Sequence, residues 1–260
     1  MASRAEQSLQ GSPEARPLPD PPSLRGALRA AATDFYFHSW RLLPANVLWA
    51  AVALVIVGLA ILVPPLLVLT PLAALPVAGI FRIATRIVRG ESVSFWDGLS
   101  AWRTEMGPAL ALGAGLVGAT TVLGFNLVTG ILSDSAPGWG LATLAFWGLV
   151  GAWVYAWVAW PILMDPARAA DPARRRLRLA ALLLLAHPVR VAGLGIALAV
   201  LIVFSTVAVV ALVTVSMSFA ALVAARYVLP AADRLEARLA ANPVRAGGVS
   251  ADPADAASGT

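Results

Sequence analysis

The sequence predicts an all-α polytopic membrane helix bundle, with six spans arranged as three hairpins and interfacial amphipathic helices on the cytoplasmic side. Three observations predict it. The first is composition: 59% of the 260 residues are hydrophobic, 13% are charged, and the mean hydropathy is +0.79. A soluble domain carries roughly 25% charge, because water-facing surface needs it and lipid-facing surface cannot tolerate it. The second is a series of long apolar runs without charge. The third is the placement of the basic residues, all nineteen of which are arginines.

The runs define the spans, since crossing the hydrocarbon takes about 20 residues at 1.5 Å each. They lie at about 42–63, 66–82, 108–132, 141–164, 191–212 and 214–229. Pro64 and Pro65 separate the first from the second. The last two share one unbroken run from Val191 to Ala225, too long for a single span of normal tilt. A turn is expected near Val213 to Met217, where Thr214 and Ser216 suit it.

The arginines fix the expected orientation. They precede span one, lie between spans two and three and between spans four and five, and follow span six. With six spans all of these segments share one side, and the three opposite turns carry none. The positive-inside rule then places both termini in the cytoplasm. A five-span chain would put Arg226, Arg234, Arg238 and Arg245 outside. The net charge of +5 and pI near 10.9 therefore need no nucleic-acid partner.

Each hairpin is preceded by a mixed stretch expected to lie along the inner headgroup layer. The first is Asp34 to Leu43, with Phe35, Phe37 and Trp40. In the second, Phe95, Leu99 and Trp102 fall on one helical face, and Ser94 and Asp97 have the spacing of a capping box. The third is Arg174 to Ala186, where Leu179, Leu183 and Ala186 share that spacing while Leu182, Leu184 and Leu185 fill other faces. The proline-rich residues 1–23 and the Ala, Gly, Asp and Pro of 241–260 read as disordered tails around a transmembrane domain of 24–240. No short apolar run with a cleavage site lies near Met1, so no signal peptide is expected.

Few motifs carry chemistry. Gly113, Gly115 and Gly118 match the dinucleotide fingerprint, but they sit mid-span with no preceding strand. Packing explains them better: Gly107, Ala111, Gly115 and Ala119 form a small-residue ladder that lets two helices approach closely, expected to serve an internal partner. In span four, Trp153, Trp157 and Trp160 share one face, a stripe suited to packing or lipid contact, or to stacking on a sugar or a cation. Trp139 and Trp160, 21 residues apart, read as anchors at the two interfaces.

Pro64, Pro65, Pro71 and Pro76 interrupt span two, either shaping a tight hairpin or freeing backbone groups to bind a solute. Asn126 is the strongly polar side chain expected at depth, Asn46 lying nearer the inner edge. No cysteine is present, the two histidines stand far apart, and no serine has an evident base. No catalytic residue, metal site or cofactor is expected, and enzyme chemistry has little material.

Trp40, Arg41 and Leu42, then Asn46, Leu48 and Trp49, resemble the first helix of the YesL-like bacterial integral membrane proteins. Similar too are the run Arg86 to Glu91 with Phe95 and Trp102, and the stretch from Arg176 and Arg178 through His187, Pro188, Val189 and Arg190. The resemblance covers about residues 34–238. Met106, Gly107 and Pro108 depart from it, since the family often has a polar Asn before span three. The family has no established activity, and its members are often encoded beside sugar-uptake permeases. The resemblance implies a bacterial cytoplasmic-membrane protein that is non-enzymatic and accessory to carbohydrate uptake, with a carbohydrate permease component as partner. The small-residue ladder and the tryptophan face are its expected contact surfaces. The alternative is a small-solute transporter or channel with its site near the proline-interrupted second span.

Overall fold

The computed structural model describes residues 20–207 and 215–241, and the fold is all-helical across them. Most of both expected tails, and Val213 and Thr214 of the turn expected near Val213 to Met217, lie outside the described residues, whereas Ser216 and Met217 of that stretch are helical. Eight α-helices follow in order among those described: α1 (Leu24–Leu62), α2 (Ala74–Val88), α3 (Phe95–Thr104), α4 (Met106–Leu132), α5 (Ala136–Leu163), α6 (Ala173–Ala186), α7 (Pro188–Val207) and α8 (Met217–Ala241). Among the described residues, five segments are long and apolar enough to cross a membrane: Leu24–Leu62, Pro65–Val88, Met106–Leu132, Ala136–Leu163 and Pro188–Ser205.

α1 corrects the first expected boundary. It is one helix of 39 residues, about 58 Å long, and it contains the stretch from Asp34 to Leu43. No break separates an interfacial helix from span one. The hydroxyl of Ser23 accepts from the backbone N–H of Gly26 and caps its start. Residues 20–23 are not a free tail, because Asp20 pairs with Arg234 and the Pro22 carbonyl accepts from Arg190.

The prolines after α1 give a 3₁₀ helix, Pro64–Ala73, that leads into α2. Its tighter winding carries the chain through the prolines, which lack the N–H an α-helix needs. α2 then runs through the middle of the bundle, with Ala78, Ile80, Phe81, Ile83 and Ala84 fully buried.

The capping box at α3 is present: the Ser94 hydroxyl accepts from the Trp96 N–H, and an Asp97 oxygen accepts from the Ser94 N–H at 2.6 Å. The stripe of Phe95, Leu99 and Trp102 faces α1 and α2 instead of the headgroup layer, beside Ala45, Leu48 and Ile80. The backbones of α2 and α3 touch at two glycines, since a Cβ on Gly79 would stand 2.9 Å from the Gly98 carbonyl oxygen. α6 likewise packs inward through Leu179, Ala180 and Leu183. Burying these faces against protein removes the same apolar surface from water that the headgroup layer would have covered, with better shape match.

α4 and α5 form a hairpin that closes at its tip through Gly130 and Gly138. A Cβ on Gly130 would lie 2.6 Å from the Gly138 carbonyl oxygen, so only glycine allows the approach.

α8 is the centre of the fold. Ala220 to Ala225 are all completely buried against α1, α2 and α5. α1 and α8 run antiparallel: Asp34 pairs with Arg226, and Asn46 meets Ser218. Sixteen residues of α1, roughly 24 Å, continue beyond Asn46. The stretch of α8 at Ser218 therefore lies beside the middle of α1, deep inside the bundle.

Candidate functional site

Two features of the bundle could carry function: a locked polar end and an aromatic cavity behind it. The polar end gathers the charges. Among the described residues Asp134 is the one charged group at the opposite end. At the charged end, Asp165 is wholly buried and accepts from Arg89 Nη2 at 2.5 Å and from Arg168. Arg168, 4% exposed, also binds Asp233 at 2.6 Å and Glu236 at 2.7 Å. Arg89 completes the ring, reaching Asp233 at 2.8 Å.

The five groups tie the end of α2, the α5–α6 turn and α8 together, each charge facing an opposite one. The hydrogen bonds to Asp233 and then Asp165 push the Arg89 guanidinium above its usual range. For Asp233, burial alone would push the carboxyl up, but the hydrogen bond from Arg89 and the charges of Arg168 and Arg89 hold it below the usual carboxylate range. A second buried pair, Arg176 with Glu105 at 3.1 Å, joins α6 to the α3–α4 junction. The Met164 carbonyl accepts from both Arg82 Nη1 and Thr85 Oγ1, which satisfies the C-terminus of α5. Each of these seven charges, Arg89, Asp165, Arg168, Asp233, Glu236, Arg176 and Glu105, faces an opposite one, so together they act as a clamp.

The cavity lies on the inner face of α5. It has a volume of about 250 Å³ and is walled chiefly by Trp49, Phe81, Trp153, Trp157 and Trp160. Phe81 stacks on Trp160 with centroids 6.0 Å apart and an interplanar angle of 15°, and Trp153 meets Trp157 edge-on at 5.4 Å. The Trp153 indole N–H donates to the Gly195 carbonyl of α7 at 3.1 Å, fixing that ring. Ser216 and Met217 form the floor.

The tryptophan stripe is thus brought together, but inside the bundle. Trp157 and Trp160 are buried and serve packing, so neither is available to a partner protein. Trp160 is also no interface anchor, whereas Trp139, 53% exposed, keeps a surface position.

The small-residue ladder faces the other way. Gly107, Ala111 and Gly115 are exposed, Ala119 is half-buried, and nothing stands within 4 Å of where a Cβ on Gly107 or Gly115 would be. The internal partner expected for this ladder is not there among the described residues. The close internal approach of α4 is made by Gly113, where a Cβ would come 2.5 Å from the Ala74 Cβ.

Asn126 is half-buried, and its side-chain amide makes no hydrogen bond to another described residue. The buried asparagine is Asn46, which is wholly enclosed. In the proline-interrupted stretch, the Thr70 hydroxyl donates to the Leu67 carbonyl at 2.6 Å. No group of three or more His, Cys, Asp or Glu residues that could hold a metal ion occurs among the described residues.

The residues that sequence reasoning missed are Asp165, Asp233 and Glu236, the acidic half of the clamp. Arginines concentrated in the connections are their one signal in the sequence, because so much buried positive charge needs acidic partners. No known protein family, curated protein or solved structure matches this chain.

Proposed function

We propose that this chain is a six-span protein of the bacterial cytoplasmic membrane with both termini inside. Its role would be that of a non-enzymatic accessory subunit lying against another membrane protein, a carbohydrate permease component. The observation that carries the accessory role is the outward face of α4. Only 6% of its most apolar window is buried within the bundle, against 28% for α5, and the small residues Gly107, Ala111 and Gly115 lie open along it. Such a face costs nothing in lipid and allows a second helix to approach to backbone distance, where van der Waals contact drives association. The resemblance to the YesL-like proteins supplies the kind of partner. The six-span topology is supported by the segregation of charge to one end and by the antiparallel run of α8 beside α1.

Affinity capture from native membranes tests the partner. A tagged chain is expected to recover a permease component, and Gly115→Leu is expected to lose it while expression and melting temperature stay unchanged. Recovery of no permease component, or equal recovery by the variant, counts against the reading. The chain has no native cysteine, so single cysteines report sidedness directly. Ser133→Cys should react with an impermeant maleimide on intact cells and Asp171→Cys only after lysis; the reverse pattern overturns the orientation.

A further inference from the structure

We infer that the aromatic cavity takes one hydrocarbon chain of a bilayer phospholipid, admitted sideways between α5 and α7. Three observations lead there: the cavity shares a two-residue wall with a side groove, the groove is on an apolar outer face, and its walls reject polar occupants.

The side groove arises from how α5 and α7 pack. They touch at Gly195, where a Cβ would stand 2.7 Å from Val154 Cγ2. One turn farther along, the contact gives way to a groove of about 350 Å³ between Leu149 and Val150 on α5 and Ala199 and Val203 on α7. Trp153 and Ile202 line both this groove and the inner cavity, so they form the partition between the two. Groove and cavity together have the volume of an ordinary ligand site.

Val203, which lines the groove, is exposed, as are its α7 neighbours Val200 and Phe204, and all three lie within an apolar segment long enough to cross a membrane. Whatever meets that face first is hydrocarbon.

The walls exclude the other candidates. Among the described residues, neither cavity nor groove has a charged lining residue, and Ser216 is the polar one apart from the indoles. A cation would stack on the tryptophans, but it would find no carboxylate among the described lining residues. A sugar would surrender water from every hydroxyl and regain almost no hydrogen bond. The Trp157 Nε1 is buried without a partner and beyond the reach of a solvent-sized probe, so it offers a ligand no handle. A methylene chain loses nothing on these terms and gains contact with rings on several sides.

The test uses the full chain reconstituted in bilayers whose phospholipid carries a photoactivatable diazirine near the end of one acyl chain. Adducts are expected to concentrate on residues 149–157 and 199–203. Ala156→Trp, which fills the cavity, should lower labelling there about tenfold, as a loss of one decade in affinity would. Ala199→Phe, which blocks the groove, should do the same and serves if the first variant fails to fold. Native mass spectrometry of the detergent-extracted chain should show one retained phospholipid that both variants lose. Labelling spread evenly over outer positions such as Val122 and Phe125, or labelling and retention unchanged in a folded variant, overturns the inference. None of these readouts depends on α4 or on a partner protein.

Discussion

Asn46 Oδ1 accepts a hydrogen bond from the backbone N–H of Ser218 at 2.9 Å, which ties α8 to the middle of α1. The Ser218 hydroxyl is held by the same pair of turns, donating to the Leu42 carbonyl at 3.1 Å. One amide side chain thus anchors the helix around which the bundle packs. Asn46→Ala would leave the Ser218 N–H enclosed without its acceptor, at a cost of about 1–3 kcal/mol. Thermal unfolding in mild detergent should show a clear drop for Asn46→Ala. Asn126→Ala should stay within about 0.5 kcal/mol of the parent, since it breaks no hydrogen bond. Equal effects at the two positions would mean that Asn46 does not hold α8.

The clamp makes a second prediction. Arg168 is buried and faces Asp165, Asp233 and Glu236 at once. Its planar fork can serve several carboxylates in fixed directions, which a lysine ammonium on a flexible stem cannot. Arg168→Ala would strand buried negative charge, with Arg89 as the remaining counter-ion for Asp165. A loss of about 3 kcal/mol is expected, at the lower edge of the range for breaking a buried pair. Arg168→Lys should recover less than half of it. A melting temperature for Arg168→Lys equal to that of the parent would show that charge alone matters there and geometry does not.

How much of this was legible in the sequence depends on what each residue's position responds to. The helices were legible because apolar length and charge avoidance are properties of a segment by itself. The same holds for the Ser94–Asp97 capping box, whose two partners are three residues apart. Burial was not legible, because it depends on which face meets a neighbour. The ladder from Gly107 to Ala119 and the single Gly113 look alike in sequence, yet the ladder faces outward and Gly113 meets Ala74. Asn46 is wholly enclosed and Asn126 half-buried for the same reason: α8 lies against Asn46, and nothing local announces where a helix 172 residues away will pass. The clamp joins positions 89, 165, 168, 233 and 236, and pairings over such separations leave no periodic trace.

Acid should loosen the clamp in a defined window. The folded-state carboxyl of Asp233 lies below its ordinary value, because the Arg89 hydrogen bond and the two guanidinium charges outweigh burial. A group with a lowered folded pKa contributes stability that is fully present above its unfolded value, about 3.9, and is lost as pH falls through the folded value. The difference in melting temperature between the parent and Asp233→Asn should therefore be constant from pH 7 to about 5. Below about pH 4 it should shrink toward zero. A difference that persists unchanged into that acid range would show that Asp233 acts by shape and hydrogen bonding alone.

Gly113 and Gly115 allow the two faces of α4 to be compared by one chemical change, the addition of a methyl group two residues apart on the same helix. At Gly113 the new Cβ would come 2.5 Å from the Ala74 Cβ, closer than carbon atoms pack. α4 and the segment entering α2 would have to separate, and overpacking of this kind costs about 1–3 kcal/mol. At Gly115 nothing stands within 4 Å, so the added methyl clashes with nothing in the chain itself. It should instead favour the helix, by up to about 1 kcal/mol from intrinsic propensity. Unfolding of the purified chain should then move in opposite directions, down for Gly113→Ala and level or up for Gly115→Ala. The larger Gly115→Leu should be tolerated by the isolated chain too, which is what makes it a clean probe of partner capture. If Gly115→Ala destabilises the isolated chain as much as Gly113→Ala does, the outward face of α4 is already covered within the molecule, and the docking surface proposed for it is lost.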